Sequence, residues 1–158
     1  MSRTHHYSNT IEWSGNAGSG TSDYRAYQRS HTIHIEGKPD ILASADAPFR
    51  GDVTRHNPED LFVASIATCH MLWYLHFCAD AGIIVTAYSD NPLGTLTQDD
   101  TGAGKFTEVV LHPKVLIENM EQSELAAELH HKAHQFCFMA NSVNFEVAIQ
   151  PEILPSLG

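Results

Sequence analysis

The sequence lacks most of the short motifs that identify an enzyme or a metal site. It contains three cysteines among 158 residues, and no two of them form a CxxC pair. No HExxH, GxSxG or glycine-rich phosphate-binding motif occurs. An odd number of cysteines in apolar surroundings is not typical of a secreted, disulfide-stabilised domain. Zinc-protease, serine-hydrolase and nucleotide-binding sites therefore have no support in the sequence.

Positively charged residues are few as well, and the N-terminus does not have the pattern of a signal peptide. The nine lysines and arginines and nineteen aspartates and glutamates give a net charge of −10, which argues against nucleic acid and anionic membranes as partners. Residues 1–9 are polar, are expected to be flexible, and contain no apolar segment of a signal peptide. We therefore expect a cytoplasmic protein with a single domain over residues 1–158.

Only one long apolar run is present, from Asn57 to Gly82. Asn57 is a favourable N-cap, Pro58 suits the first helical position, and Gly82 suits the position after the last turn. The run is long enough to span a membrane, but polar residues such as His70 and His76 interrupt it. The pattern predicts a long buried helix, apolar on nearly all sides, with the other elements arranged around it.

The rest of the chain has the pattern of short strands and one further helix. Strands are predicted at residues 10–14, 24–36, 41–43, 83–88, 93–98, 105–118 and 142–149, and a helix at residues 123–141. The segment 24–36 is either one strand or a bent pair of strands. Pro113 indicates a bend or an edge position within its strand. This order predicts an α+β fold with a largely antiparallel sheet around the central helix. So few strands cannot cover the helix on every side, and a homodimer would solve this problem.

Cys69, in the middle of the long helix, and Cys137, near the end of the second helix, are the main candidates for chemistry. A buried cysteine is most often a small core residue, and we assign Cys78 to the core. A reactive thiolate needs a nearby cation that lowers its pKa. The arginines available for that role are Arg25, Arg29, Arg50 and Arg55.

Histidines offer a competing hypothesis, a metal site. His130 and His134 lie four residues apart on one helix face, a spacing that can bind zinc together with a cysteine. Because CxxC and HExxH are absent, a solvated or hydrogen-bonded helix face is the better interpretation. His70 directly follows Cys69, but adjacent helix residues point about 100° apart, so we expect His70 to be structural.

The segment Asn57-Pro58-Glu59-Asp60-Leu61, followed by Cys69, resembles the helix signature of the OsmC/Ohr family. This family comprises osmotically inducible protein C and the organic hydroperoxide resistance proteins. The second helix, with Ala133-His134 before Cys137, is similar to the helix that carries the family's second cysteine. The resemblance covers about residues 10–150. It implies an OsmC-like fold, an intertwined homodimer, and neither a cofactor nor a metal.

The activity implied by this resemblance is that of a thiol-dependent peroxidase in oxidative-stress defence. Cys69 would be the peroxidatic cysteine that attacks an organic hydroperoxide, and Cys137 the resolving cysteine that forms a disulfide with it. A dithiol reductant (a lipoylated protein, thioredoxin or a small thiol) would restore both. Glu59 would orient an arginine that keeps Cys69 ionised, with Arg50 as the first candidate and Arg25 as the second.

Two observations keep other arrangements open. Phe138 follows Cys137, where the family often has proline. Glu59 and Cys69 are ten residues apart, about 15 Å along one helix, so an arginine must bridge the gap or a second chain must contribute. The alternative function is a non-enzymatic OsmC-like protein that binds a small apolar ligand and keeps buried structural cysteines.

Overall fold

The computed structural model describes residues 1–158 and groups them into two compact units, residues 1–61 and residues 62–158. The long helix α1 (Pro58–Asp80) has its first turn in the first unit and the remainder in the second. Residues 1–9 form no helix or strand and are exposed. The expectation of a single domain over the whole chain stays a prediction.

The first unit contains a three-stranded antiparallel sheet. Its strands, in sheet order, are β1 (Thr10–Trp13), β2 (His31–His34) and β3 (Ile41–Ala43). Ile33 of β2 lies between Ile11 of β1 and Ile41 of β3, and such β-branched cross-strand pairs stabilise short strands. The strand predicted over residues 24–36 is shorter than expected, because its N-terminal half forms turns and irregular structure.

Helix α1 begins and ends where the sequence predicts. The Asp60 backbone N–H donates to Asn57 Oδ1 at 2.8 Å, which caps the first turn. Gly82 follows the last turn with φ of 72°, a conformation that strains a side chain, and the next N–H donates back to the Cys78 carbonyl. The helix has the length and apolar composition of a membrane span, a property that core helices of soluble proteins share.

The second unit contains two three-stranded sheets and the second helix. Its elements are β4 (Val85–Ser89), β5 (Leu93–Gln98), β6 (Gly104–Leu111), β7 (Lys114–Ile117), α2 (Ser123–Phe136), β8 (Glu146–Ile149) and β9 (Glu152–Pro155). The sheet orders are β4-β7-β9 and β5-β6-β8, and each sheet joins one antiparallel pair to one parallel pair. The predicted α+β class is confirmed, whereas the parallel pairs and strand β9 do not follow from the sequence pattern.

Pro113 divides the segment predicted as one strand over residues 105–118. It lies between β6 and β7, which belong to different sheets. A proline has no N–H to donate to a strand ladder, so the ladder stops there. The preceding His112 N–H donates instead to the Asp90 carboxylate at 2.7 Å. The expected bend is confirmed, and it sends the chain from one sheet to the other.

Helix α1 contributes side chains to both apolar cores of the second unit. One core contains Tyr74, Phe77, Cys78, Ile83, Val115, Ile117, Ala126, Leu129 and Ala133. The other contains Ile66, Ala67, Val109, Leu111 and Val147. Cys78 is a core residue, as expected. In the single chain, six residues of α1 are buried and Leu72 is 63% exposed, so its burial on nearly all sides, which is expected to need a second chain, stays a prediction.

A pair of buried histidines joins α1 to α2. His70 Nε2 and His130 Nδ1 are 2.9 Å apart, and the two residues are 1% and 2% exposed. Burial lowers the pKa of His70 to about 4 and that of His130 to about 3, and neighbouring histidines lower both further, so the two rings are neutral at pH 7. His70 is therefore structural, as expected. No group of three or more histidine, cysteine or acidic side chains is arranged to hold a metal ion.

We expect the protein to lose stability as the pH falls below about 6.5. The folded-state pKa values of His70 and His130 lie below the ordinary value, so the unfolded chain binds more protons in this range. Each histidine then lowers the free energy of unfolding by about 1.4 kcal/mol per pH unit until its folded pKa is reached, and has no effect well above pH 7. Urea unfolding between about pH 7.5 and about pH 5 measures this slope.

A variant with both His70→Leu and His130→Leu is the control for this prediction. It should lose the part of the pH slope that the two rings contribute, because neither position then binds a proton in the unfolded chain. Parallel stability curves for the wild type and the double variant would show that the buried pair does not set the pH dependence.

Candidate functional site

Cys69 borders an apolar cavity in the second unit. It lies in the middle of α1, is partly exposed, and has a free thiol. The cavity has a volume of about 600 Å³. Its other lining residues come from α1 and from the segment after α2, and they are Ser65, Thr68, Leu72, Trp73, His76, Phe138 and Met139. An apolar pocket of this size, with a few polar groups, suits a small organic molecule.

Cys137 lies just beyond the C-terminal end of α2. The helix ends at Phe136, and Cys137 has an extended conformation with φ of −65° and ψ of 112°. The expectation of a helix to residue 141 is wrong, because the chain turns so that the Ala140 N–H donates to the Cys137 sulfur at 3.4 Å. The sulfur also lies 4.0 Å from the Ile66 carbonyl oxygen of α1. This turn therefore holds the second cysteine, which is 1% exposed, against the first helix.

The thiols of Cys69 and Cys137 lie close together, because the Cys137 sulfur is 4.0 Å from the carbonyl oxygen of Ile66, about one turn before Cys69 in α1. Burial raises the pKa of Cys137 to about 11; the Ala140 N–H opposes this rise, and the adjacent Cys69 thiol adds to it. Cys137 is therefore a neutral thiol at physiological pH, next to a more accessible cysteine. Two thiols arranged in this way can form a disulfide once one of them is oxidised.

Phe138, at a position where the family that the sequence resembles often has proline, forms part of the cavity wall. The residue is 61% exposed, and its ring meets that of Trp73 edge to face with centroids 5.5 Å apart. Trp73 is also in contact with the Phe136 ring, at a centroid distance of 5.3 Å. The departure from the family pattern thus adds an aromatic side chain to the space beside Cys69.

A second cavity, in the first unit, is lined by Glu59 and Arg29 and has a volume of about 490 Å³. Glu59 Oε2 is buried without a hydrogen-bond partner, which is costly for a carboxylate. The Arg29 guanidinium donates to the carbonyls of Tyr27 and Tyr24 at 2.5 and 2.6 Å. It also lies over both rings, 4.0 and 4.4 Å from their centroids. A cation and an unpaired carboxylate oxygen therefore line the same cavity.

Neither arginine favoured by the sequence lines the cavity of Glu59. Arg50 is exposed, has a left-handed φ of 62°, and lines a neighbouring cavity of about 260 Å³ that Arg29 also borders. Arg25 is exposed in the loop before β2. Their assignment stays a prediction. The sequence signal that points to Arg29 is the pair of tyrosines two and five residues before it, whose rings and carbonyls hold its guanidinium.

The sequence and the fold both match known proteins. The family model described as "OsmC-like protein" matches residues 51–152. A solved OsmC-like protein of unknown function from Vibrio cholerae is 33% identical, with a TM-score of 0.81 over 94% of this chain and 100% of that one. No curated protein sequence matches the chain.

Two more distant solved structures have the same fold. An OsmC-like protein from Mycoplasma pneumoniae is 15% identical, with a TM-score of 0.73 over 96% of this chain and 99% of that one. An organic hydroperoxide resistance protein OsmC from Legionella pneumophila is 20% identical, with a TM-score of 0.66 over 96% of this chain and 99% of that one. At these identities the similarity concerns the fold alone.

Among the three cysteines, we expect only Cys69 to react rapidly with iodoacetamide in the folded protein near neutral pH. Cys69 is partly exposed, whereas Cys78 and Cys137 are buried and have raised pKa values. Mass spectrometry of timed samples measures the label at each position. The Cys69→Ser variant is the control and should stay unlabelled until denaturant is added. Rapid labelling of Cys137 in that variant would contradict its burial.

Proposed function

The chain belongs to the OsmC-like protein family, and from that membership we propose that it is a cysteine-based peroxidase that reduces organic hydroperoxides in oxidative-stress defence. One observation carries the proposal: Cys69 borders an apolar cavity while its sulfur lies beside the buried sulfur of Cys137. The name of the Legionella pneumophila protein, which refers to organic hydroperoxide resistance, supports the same activity.

In the proposed reaction, the Cys69 thiolate attacks the O–O bond of a hydroperoxide, ROOH. An S–O bond forms as the O–O bond breaks, so that Cys69 becomes a sulfenic acid and the alcohol ROH leaves after it takes up a proton. The Cys137 sulfur then attacks the sulfenic sulfur, a disulfide forms, and water leaves. A dithiol reductant returns both cysteines to thiols by exchange and is itself oxidised to a disulfide.

The cavity beside Cys69 favours a bulky apolar hydroperoxide over hydrogen peroxide. Leu72, Trp73, Phe138 and Met139 supply most of its apolar wall. Burial of the apolar part of a substrate against these side chains contributes about 25 cal/mol per Å² of apolar surface. Hydrogen peroxide has no apolar part to bury, and we therefore propose alkyl or aryl hydroperoxides as the substrates.

We infer that Arg29 is the arginine that works with Glu59. Both residues line one cavity, and no acidic side chain holds the guanidinium, which rests on tyrosine carbonyls. A charge-assisted pair with Glu59 would satisfy the unpartnered Oε2 and orient the guanidinium. An arginine oriented in this way stabilises a thiolate and the negative oxygen that leaves the peroxide. Because Glu59 lies about 15 Å from Cys69 along α1, we infer that this arginine acts on the Cys69 of a second chain.

We further propose that the protein is a cytoplasmic homodimer in which the second chain covers apolar residues around Cys69. Leu72 and Phe138 are 63% and 61% exposed, although both are large and apolar. Clustered exposed residues of this kind mark interaction surfaces. The reducing partner would be a dithiol, namely a lipoylated protein, thioredoxin or a small thiol.

The reduced protein should consume cumene hydroperoxide in the presence of a dithiol, and should consume hydrogen peroxide more slowly at equal concentration. Cys69→Ser should abolish turnover, because the attacking sulfur is absent. Without the dithiol, Cys137→Ser should consume one hydroperoxide per chain and then stop, leaving a sulfenic acid that dimedone traps. Peroxide loss in a colorimetric assay and mass spectrometry of the cysteines measure these outcomes.

Cys78→Ala is the matched control for this experiment, because it removes a core thiol that does not line the cavity. It should keep its turnover. Full turnover by Cys69→Ser, or a preference for hydrogen peroxide, would refute the proposed activity. If the wild type shows no turnover and its thiols stay reduced, the alternative function, binding of a small apolar ligand without chemistry, would replace it.

Arg29→Lys should slow the oxidation of Cys69 by cumene hydroperoxide about tenfold or more. Lysine keeps the positive charge but loses the planar fork that pairs with a carboxylate through two hydrogen bonds. Single-turnover stopped-flow kinetics measures the rate of this step. Arg50→Lys is the comparison variant, and its effect should be much smaller. A larger loss in Arg50→Lys than in Arg29→Lys would assign the role to Arg50.

A further inference from the structure

Helix α1, which contains Cys69, and helix α2, which precedes Cys137, make contact at successive levels. Tyr74 Oη donates to the Ala126 carbonyl at 2.9 Å, and one turn earlier in α1, His70 meets His130 at 2.9 Å. One further turn towards its N-terminus, α1 meets the sulfur that follows α2 through the Ile66 carbonyl. Along these contacts the residue numbers fall in α1 and rise in α2, so the two helices are antiparallel. The contact between His70 and His130 is the one nearest to the two sulfurs.

We propose that the hydrogen bond between His70 and His130 is a positioning device that sets the distance between the sulfurs of Cys69 and Cys137. His70 directly follows Cys69 in α1, and His130 lies in α2 about two turns before Cys137, which follows the end of that helix. This bond is the one hydrogen bond between a side chain of α1 and a side chain of α2. The inference rests on the proposed two-cysteine reaction, in which these sulfurs must join.

Burial and ring stacking make this pair a rigid connection. The two imidazole planes are 8° apart, as suits a hydrogen bond between ring nitrogens, and the Tyr74 ring stacks on His130 at a centroid distance of 3.8 Å. His70 Nδ1 and His130 Nε2 are buried without partners, so the bond between the rings is the only polar contact of either side chain. A shift of one helix along the other would break that bond and leave two more buried nitrogens unpaired, which opposes the shift.

The pair acts on disulfide formation and not on the attack on the peroxide. When the Cys137 thiol condenses with a Cys69 sulfenic acid, the S–S bond forms, the S–O bond breaks, and water leaves with the proton of the Cys137 thiol. Disulfide geometry is narrow, so the placement of the two sulfurs governs how readily the bond forms. The first oxidation needs Cys69 alone and does not depend on this placement.

The test is the equilibrium between the Cys69–Cys137 dithiol and disulfide in glutathione redox buffers, measured on the full chain by alkylation and mass spectrometry. His130→Gln moves the amide away from the Nδ1 position and should lower the disulfide equilibrium constant about tenfold, equal to about 30 mV. His130→Asn places its amide group, which can donate or accept, close to the Nδ1 position and should stay within about threefold of the wild type.

Tyr74→Phe is the matched control, because it removes the neighbouring hydrogen bond to Ala126 and keeps the imidazole pair. Its equilibrium constant should stay within about threefold of the wild type, whatever its loss of stability. An unchanged constant in His130→Gln, or an equal shift in Tyr74→Phe, would overturn the proposal. If His130→Gln does not fold, His70→Asn takes its place, because the shorter side chain cannot put its amide at the Nε2 position. His70→Gln is then the variant expected to retain the bond.

In this experiment glutathione oxidises and reduces the two cysteines, so the measured equilibrium constant does not depend on whether the protein turns over a hydroperoxide. A protein that shows the expected shifts but consumes no hydroperoxide would refute the peroxidase activity and leave the positioning role intact. A protein that turns over hydroperoxide but shows no shift in His130→Gln would refute the positioning role alone.

Discussion

The antiparallel packing of α1 against α2 is the constraint on which the second unit depends. Small residues make the contact close, since Ala126 and Ala133 of α2 are fully buried in the core that they share with α1. Larger side chains at these positions would force the helices apart. The proximity of Cys69 to Cys137 therefore results from core packing, and no single sequence motif includes both cysteines.

The two sulfurs experience different surroundings although they are adjacent. Cys137 is enclosed, with a backbone N–H and a carbonyl as its polar neighbours, whereas Cys69 borders a cavity that a small molecule can enter. Enclosure favours the neutral thiol, and access favours reaction with an external molecule. The structure thereby gives the two cysteines an order of action in the proposed reaction, with the accessible one first and the enclosed one second.

Features governed by local interactions could be predicted from the sequence, and those governed by tertiary contacts could not. The limits of α1 follow from the cap at Asn57 and from Gly82, and the bend follows from Pro113. The sequence pattern predicts α2 to residue 141, but the helix ends at Phe136, because the sulfur of Cys137, and not a helical carbonyl, accepts the Ala140 N–H. The hydrophobic periodicity of a segment does not indicate which distant segment it contacts. The parallel strand pairs, and the cavity that Glu59 shares with Arg29, therefore could not be predicted.

The position of Cys137 outside the helical ladder has a mechanical consequence. Its carbonyl accepts a bond from the Asn141 N–H at 3.0 Å, within the turn that follows the helix. Rotation of this turn would disturb only the bonds to the last carbonyls of α2, which run from the Cys137 N–H to His134 and from the Asn141 side chain to Gln135. The dithiol and disulfide forms can therefore share the same two helices, and the strain of switching between them is confined to a few residues.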